Sequence, residues 1–124
     1  MSKYLNKKTE VDGILFDSKK EASYYLRLKE METKGEINNL RRQVPYELIP
    51  AVYRDEVKHL KTKDKTVTKC LQRATHYIAD FVYNLPSGEE IVVDVKSYIT
   101  RKNAEYRLKK KMMLAFNGIE ITEV

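Results

Sequence analysis

The amino-acid sequence predicts an α/β fold in which a central mixed β-sheet is flanked by helices. Three observations predict it: a helical pattern near the N-terminus, a β-hairpin that is apolar on both faces, and a second helix followed by a short alternating segment. Helices that accompany a doubly apolar hairpin are typical of a layered α/β domain. The 124 residues suffice for one domain, which we expect to span residues 1–124.

The first helix is marked at both of its ends. Ser18 fits the N-cap, and Glu21, three residues later, fits the second position of a capping box. Gly35 fits a left-handed stop after Lys34. Residues 1–11, before the helix, are predicted to be irregular. The predicted apolar face of the helix consists of Ala22, Tyr24, Tyr25, Leu26, Leu28 and Met31.

An extended segment and a basic segment separate the first helix from the hairpin. Residues 37–49 are predicted to be extended, and Pro45 and Pro50 indicate an edge position or breaks rather than a central strand. Residues 52–73 carry many lysines, show little apolar periodicity, and are predicted to be a partly extended excursion on the surface. Two interpretations of this excursion are open, a solvated loop and an element that grips DNA.

The hairpin is the clearest pattern in the sequence. Residues 75–83 are rich in β-branched and aromatic side chains, residues 84–89 form a turn, and residues 90–97 form the second strand. Because both strands are apolar on both faces, we expect the hairpin to lie inside the sheet.

The second helix is predicted to run from about Thr100 to Asn117, and residues 119–124 form a last strand. Its period of about 3.6 residues predicts one buried stripe. This stripe consists of Ala104, Leu108, Met112 and Ala115.

The composition favours a partner that carries phosphates. The formal net charge is +6, from 24 Lys and Arg against 18 Asp and Glu. Neutralised phosphates release counterions, so a basic surplus favours nucleic acid, although a lysine-rich solvated surface has the same composition. The single cysteine, Cys70, excludes an intramolecular disulfide and fits the cytoplasm. No apolar run approaches the roughly 20 residues of a membrane span, so no membrane partner is expected.

Two aspartates interrupt the strands of the hairpin. Aspartate is rare inside strands, and the burial of its charge is costly without a partner. A turn centred on Ser87 places Asp80 opposite Asp94. The Cα atoms of residues that are directly opposed in an antiparallel ladder lie about 4.5–5.5 Å apart. Two adjacent carboxylates repel, and one keeps its proton unless a cation intervenes. A divalent metal between them would explain the arrangement.

Lys96 follows Asp94 by two residues and projects from the same face of the strand. Its ammonium can orient or deprotonate a water, or stabilise charge that develops on a phosphate. With Mg²⁺, which lowers the pKa of bound water, these groups favour phosphodiester hydrolysis. Two alternatives are open: a structural salt bridge between Lys96 and the aspartates, and a one-residue register slip that would separate Asp80 from Asp94.

The order of these residues resembles the PD-(D/E)xK nuclease superfamily. The similar segments are residues 18–22 with their helix glutamate, residues 39–46, residues 77–81 and the Asp-x-Lys of residues 93–96. The likeness is greatest to small phage proteins and more distant to junction-resolving endonucleases. Ala79 stands where these nucleases often have proline. The resemblance implies a restriction-endonuclease-like core and cleavage of DNA, including branched DNA.

The resemblance also implies the residues of the site. Mg²⁺, for which Mn²⁺ can substitute, would be held by Asp80, Asp94, the backbone carbonyl of Val95 and Glu21, and Lys96 would complete the catalytic set. A homodimer is expected if both strands of a junction are cut symmetrically. From charge and position we also predict DNA contacts at Lys19, Lys20, Arg73, Arg101 and Lys102.

The role of Glu21 is open between two predictions. As a capping-box residue it would act locally and need no metal. It also projects near the centre of the apolar face of its helix, where a carboxylate needs a partner such as a metal or its water. For the whole protein, the alternatives to a nuclease are a catalytically silent DNA-binding accessory protein and a small RNA-binding protein.

Overall fold

A computed structural model describes residues 8–124, so residues 1–7 of the predicted domain lie outside the described part. In chain order its elements are β1 (Thr9–Val11), β2 (Ile14–Phe16), α1 (Lys19–Thr33), β3 (Asn38–Ile49), β4 (Val52–His59), β5 (Asp64–Gln72), β6 (Thr75–Asn84), β7 (Glu90–Asp94), α2 (Tyr98–Arg101), α3 (Ala104–Asn117) and β8 (Thr122–Glu123). None of the described helices is long and apolar enough to cross a membrane.

The central sheet has four strands in the order β3-β6-β7-β8. The pairs β3–β6 and β6–β7 are antiparallel, whereas β8 lies parallel to β7, so the sheet is mixed. The strands β6 and β7 are internal, as their apolar residues on both faces predicted. The strand β3 is at the edge of the sheet. An edge strand tolerates Pro45, which has no backbone N–H to donate. The predicted α/β class is confirmed.

The helices α1 and α3 cover opposite faces of this sheet. On one face, Leu28 of α1 packs in a buried cluster with Phe81 and Val93. On the other face, Met113 of α3 packs in a second cluster with Val92. Neighbouring residues of one strand point to opposite faces, so Val92 and Val93 pack in different clusters.

The predicted boundaries of α1 are confirmed. The Ser18 side-chain oxygen accepts a hydrogen bond from the Glu21 backbone N–H at 3.1 Å, and Gly35 takes the left-handed conformation with φ 78°. The predicted apolar face is wrong at Leu26, which is 49% exposed.

The second predicted helix differs from the structure in two ways. It is divided into α2 and α3, because the Asn103 side chain accepts a hydrogen bond from the Tyr106 N–H and starts a new helix. The predicted buried stripe is also wrong: Leu108 is 54% exposed, and Tyr106 and Met113, on the opposite face, are buried. The helix carries apolar residues on both faces, so its periodicity alone did not select the buried one. Of the predicted stripe, Ala104 and Ala115 are also exposed, and Met112 is half-buried.

Two segments are more regular than the sequence analysis predicted. Residues 9–11 were expected to be irregular, but β1 pairs with β2 through a turn in which Asp12 and Gly13 have φ 53° and 76°. An Asp-Gly turn of this hand favours a tight hairpin. The basic segment is exposed, as predicted, but it forms a regular hairpin of β4 and β5.

The register of the central hairpin is the predicted one. Asn84 pairs with Glu90, and Phe81 pairs with Val93, so no one-residue slip separates Asp80 from Asp94. On the other side of β6, the register of β3 places Gln43 opposite Asp80, between the pairs Arg42–Phe81 and Val44–Ala79. There Gln43 has φ 50°, a left-handed conformation that is unfavourable for residues other than glycine.

We expect glycine to be tolerated at Gln43 better than valine, the reverse of the usual order in strands. Glycine adopts this φ without a Cβ penalty, whereas a branched side chain is strained. In thermal unfolding, Gln43→Gly should keep or raise the melting temperature, and Gln43→Val should lower the free energy of unfolding by about 1–2 kcal/mol. The same substitutions at Glu47, another exposed residue of β3, are the control and should show the ordinary order. Equal behaviour at both positions would contradict strain at Gln43.

Candidate active site

Asp80, Asp94 and Lys96 come together where β7 ends, beside the start of α1. The Lys20 ammonium donates a hydrogen bond to the Lys96 backbone carbonyl at 2.9 Å and so ties α1 to this point. The Lys96 N–H donates to the Val124 carbonyl at 3.0 Å, which continues the β7–β8 pairing past the end of β7. The second strand is shorter than predicted, since β7 ends at Asp94 and Lys96 lies two residues beyond it, but these two hydrogen bonds hold the Lys96 backbone on both sides.

The two aspartates form a carboxyl pair in which Asp94 is buried and Asp80 is half-buried. Asp94 is only 2% exposed. Asp80 accepts a hydrogen bond from the Val95 N–H at 2.8 Å. Burial, followed by the hydrogen bond with the Asp94 carboxyl and its negative charge, raises the pKa of Asp80 to about 8. The pair thus keeps one proton in the absence of a cation, as its opposed positions predicted.

Lys96 lies next to this pair. Its ammonium is 3.5 Å from the Asp94 Oδ1 atom and 4.6 Å from the centre of the Tyr106 ring. The salt bridge considered in the sequence analysis therefore exists. The ammonium is not enclosed, however, because its side chain remains 25% exposed and lines the clefts beside the pair. A cation over the face of an aromatic ring is held in place by the ring quadrupole.

Tyr77 is a functional residue that the sequence analysis missed. Its hydroxyl is buried and donates a hydrogen bond to the Asp94 Oδ2 atom at 2.8 Å. Burial, and then the charge of Asp94, raise the pKa of Tyr77, so the hydroxyl stays protonated and remains a donor. A buried tyrosine usually has a hydrogen-bonding partner for its hydroxyl. Its position in an apolar strand is therefore the feature of the sequence that indicates a buried polar partner for Tyr77. Tyr77 is a positioning residue for Asp94.

Tyr106 connects the site to the last strand. Its hydroxyl donates to Glu123 at 2.8 Å, and the Lys110 ammonium donates to the same carboxylate at 2.7 Å. These two hydrogen bonds, that of Lys110 first, lower the pKa of Glu123. The ring of Tyr106 is thereby fixed under the Lys96 ammonium.

Glu21 is buried near the pair, with 7% exposure. Its carboxylate is 3.9 Å from the Arg42 Nη2 atom, and burial, followed by the charge of Asp17, raises its pKa. Ser18 caps the helix by accepting from the Glu21 backbone N–H, but the Glu21 carboxylate lies near Arg42 and does not complete a capping box with the Ser18 N–H, so the capping-box interpretation is wrong. Glu21 as a metal ligand stays a prediction.

The donor set fits Mg²⁺ as a two-carboxylate site. Within residues 8–124, no three His, Cys, Asp or Glu side chains form a group that could hold a metal. Mg²⁺ does not require one, because it retains waters and is held by one or two carboxylates together with substrate phosphates. The observation that supports the fit is the opposition of the Asp80 and Asp94 carboxyl groups across β6 and β7, because a cation between them would relieve their repulsion. Val95, whose carbonyl was predicted to be a ligand, lines a cleft with Asp80.

Two clefts meet at the pair. One, of about 390 Å³, is lined by His76, Asn103 and Lys109, and the other, of about 270 Å³, by Ser18 and Glu21. Asp80, Lys96 and Thr100 line both clefts, so Asp80 is reached from two sides, whereas Asp94 lines the larger cleft only.

The predicted DNA contacts are distributed unevenly around the site. Lys20 lines the smaller cleft, and Arg101 lines a neighbouring groove with Arg107 and Lys111. Lys19, Lys102 and Arg73 are exposed, and Arg73 lies between β5 and β6. Lys20 and Arg101 are therefore the predicted contacts that the structure brings into grooves.

The raised pKa of Asp80 predicts a pH-dependent effect of Asp80→Asn in metal-free protein. The folded value of about 8 exceeds the unfolded value of about 3.9. The stability contributed by Asp80 is therefore fully present below about pH 4 and lost as the pH rises towards 8. Asparagine does not ionise and is not subject to this loss. In EDTA, the melting temperature of Asp80→Asn relative to that of wild type should therefore rise by about 4 °C or more from acidic to mildly alkaline pH. An offset for Asp80→Asn that stays constant over this pH range would contradict the shared proton.

Tyr77→Phe and Tyr46→Phe form a matched test of the hydrogen bond to Asp94. The two tyrosines face each other across β3 and β6. Burial and then Glu90 raise the pKa of Tyr46, but its hydroxyl forms no hydrogen bond of normal geometry within residues 8–124. Urea unfolding should show a loss of about 1.5–3 kcal/mol for Tyr77→Phe and little change for Tyr46→Phe. Equal losses would mean that the Tyr77 hydroxyl does not hold Asp94.

Comparison with known proteins identifies a family for this chain. None of the curated proteins and none of the solved structures that were compared matches it. The nuclease resemblance and the restriction-endonuclease-like core therefore stay predictions. A family model described as "Protein of unknown function (DUF1064)" matches residues 1–123. Because the match covers nearly the whole chain, the protein belongs to the DUF1064 family.

Proposed function

We propose that this protein is a Mg²⁺-dependent DNA endonuclease that hydrolyses phosphodiester bonds in branched or structured DNA. The observation that carries the proposal is the Asp80–Asp94 pair, half-buried at Asp80 and buried at Asp94, with the Lys96 ammonium 3.5 Å from Asp94 and clefts that reach Asp80 from two sides. Buried titratable groups with strongly shifted pKa values in a cleft are typical of catalytic sites. The resemblance to phage proteins favours a role in phage DNA metabolism in the host cytoplasm.

In this proposal each residue of the chain has a separate task. Asp80 and Asp94 hold Mg²⁺, which supplies charge neutralisation at the phosphate and a lower pKa for bound water. The proton that the pair shares leaves when the cation binds. Lys96 orients the attacking water or stabilises the charge of the phosphate, and Tyr77 keeps Asp94 in position through its hydrogen bond. Lys20 and Arg101 bind flanking phosphates, and a homodimer would serve symmetric cutting of a junction.

A catalytically silent DNA-binding accessory protein is the second candidate. The observation that favours it is the completeness of the network without metal: Lys96 pairs with Asp94, Tyr77 donates to Asp94, and Val95 donates to Asp80. In such a protein these residues would be structural, and the basic surplus would provide all of the affinity for DNA.

Asp94→Asn and Lys96→Ala separate the two candidates. If the protein is a nuclease, either substitution should reduce Mg²⁺-dependent cleavage by at least about a hundredfold, since each removes a group that acts in the transition state. Affinity for DNA should change little, because it depends on many basic residues. The assay uses linear, nicked and four-way-junction DNA, with EDTA as the blank.

Lys29→Ala is the matched control for loss of one lysine, because Lys29 pairs with Glu32 on α1 and does not line the clefts. It should cleave like wild type. Full cleavage by Asp94→Asn would rule out the assigned site, and no cleavage by wild type on any of the three substrates would favour the accessory protein.

A further inference from the structure

The β4–β5 hairpin, which we call the ribbon (residues 52–72), stands apart from the rest of the fold. Its strands pair with each other and with neither the central sheet nor the β1–β2 pair. Nearly all of its residues are exposed. A strand of eight residues is about 27 Å long. A two-stranded hairpin alone in water is only marginally stable, so the ribbon lacks the packing that usually maintains such an element.

The charges of the ribbon are sorted between its two faces. Residues directly opposed in the ladder share a face, and successive residues alternate between faces. One face, which we call the cation face, holds two opposed pairs, Arg54 with Lys69 and Lys58 with Lys65. Its one carboxylate, Glu56, is engaged by Arg54 at 2.7 Å.

The opposite face of the ribbon carries its other two acids, and each has a partner there. Asp55 accepts a hydrogen bond from the Thr68 hydroxyl at 2.8 Å, and Asp64 lies 2.9 Å from the His59 ring nitrogen. No acid of the ribbon is left to neutralise the lysines of the cation face. The salt bridges of residues 8–124 include none formed by Lys58, Lys65 or Lys69.

Directly opposed like charges destabilise an antiparallel ladder. The cation face has two such pairs, about 13 Å apart along the strands because Lys58 follows Arg54 by four positions. Glu56 offsets the charge of Arg54, whereas no carboxylate of the ribbon offsets the Lys58–Lys65 pair. Packing against the fold does not explain them, because the ribbon is exposed. An anionic partner with regularly spaced charges removes the repulsion.

We propose that the cation face of the ribbon binds the phosphate backbone of double-stranded DNA. A two-stranded β-ribbon fits the major groove, which is about 12 Å wide, with the phosphates along its edges. The choice of DNA rests on the proposed function, whereas the binding of a polyanion rests on the charges alone. The ribbon leads through Arg73 into β6, the strand that carries Asp80, so it would hold a duplex arm of the substrate next to the clefts.

The test compares Lys58→Gln/Lys65→Gln with Lys29→Gln/Lys34→Gln. Both double variants lose the same charge, but Lys29 and Lys34 lie on α1 and pair with Glu32 and Glu30. Binding of a fluorescein-labelled duplex longer than two helical turns, and of one of its strands alone, is measured by anisotropy in EDTA over a range of salt concentrations. The absence of metal prevents cleavage, so affinity is measured independently of activity.

We expect the ribbon variant to bind the duplex roughly tenfold more weakly, with the slope of log Kd against log salt reduced by about 1.8. The α1 variant should stay within about twofold of wild type, because its lysines are assigned no phosphate. The melting temperature of the ribbon variant should be unchanged or raised, since like-charge repulsion is removed; a structural role for the lysines would lower it.

Three results would overturn the proposal: equal weakening in both variants, an equal loss for the single strand, or preferential binding of phosphatidylserine vesicles by the same lysines. The proposed function fails separately. If the wild-type protein never cleaves DNA but the ribbon variant binds the duplex more weakly than wild type, the nuclease proposal is wrong and the ribbon proposal stands. If wild type cleaves and the ribbon variant binds normally, only the ribbon proposal is wrong.

Discussion

The burial of two carboxyl groups against each other is the constraint on which the rest of the site depends. The apolar residues on both faces of β6 and β7 place these strands inside the sheet, and the register then brings Asp80 next to Asp94. A buried carboxylate is costly unless other groups compensate for it. The site is organised around that compensation: a shared proton, the Val95 N–H, the Tyr77 hydroxyl and the Lys96 ammonium.

The compensating groups come from elements distant in the sequence. Tyr77 lies on β6 and Tyr106 on α3, while Glu123 on β8 anchors the Tyr106 hydroxyl. Lys20, at the start of α1, holds the backbone that follows β7. A site supported from both faces of a sheet is positioned more accurately than one on a loop. The same support keeps the carboxyl pair stable without metal, which is why geometry alone accommodates both a nuclease and a silent relative.

Acidic and basic groups have separate places in this molecule. The central sheet holds its carboxyl pair in the interior, where a hard cation is the natural partner. Four cations of the ribbon lie on one exposed face with a single acid, Glu56, and its other two acids lie on the opposite face. A net charge of +6 therefore understates the local contrast, because the charges are sorted by position. Hydrolysis of a phosphodiester needs both kinds of surface close together.

The sequence by itself determined the elements whose signals are local. Caps place the ends of α1, and two runs of β-branched and aromatic residues around a turn place the central hairpin and the opposition of Asp80 and Asp94. Tertiary structure decided which side of α3 is buried, because apolar residues lie on both of its sides and only packing selects Tyr106 over Leu108. It also decided the partner of Tyr77, since a hydrogen bond between side chains 17 positions apart leaves no periodic trace in the sequence.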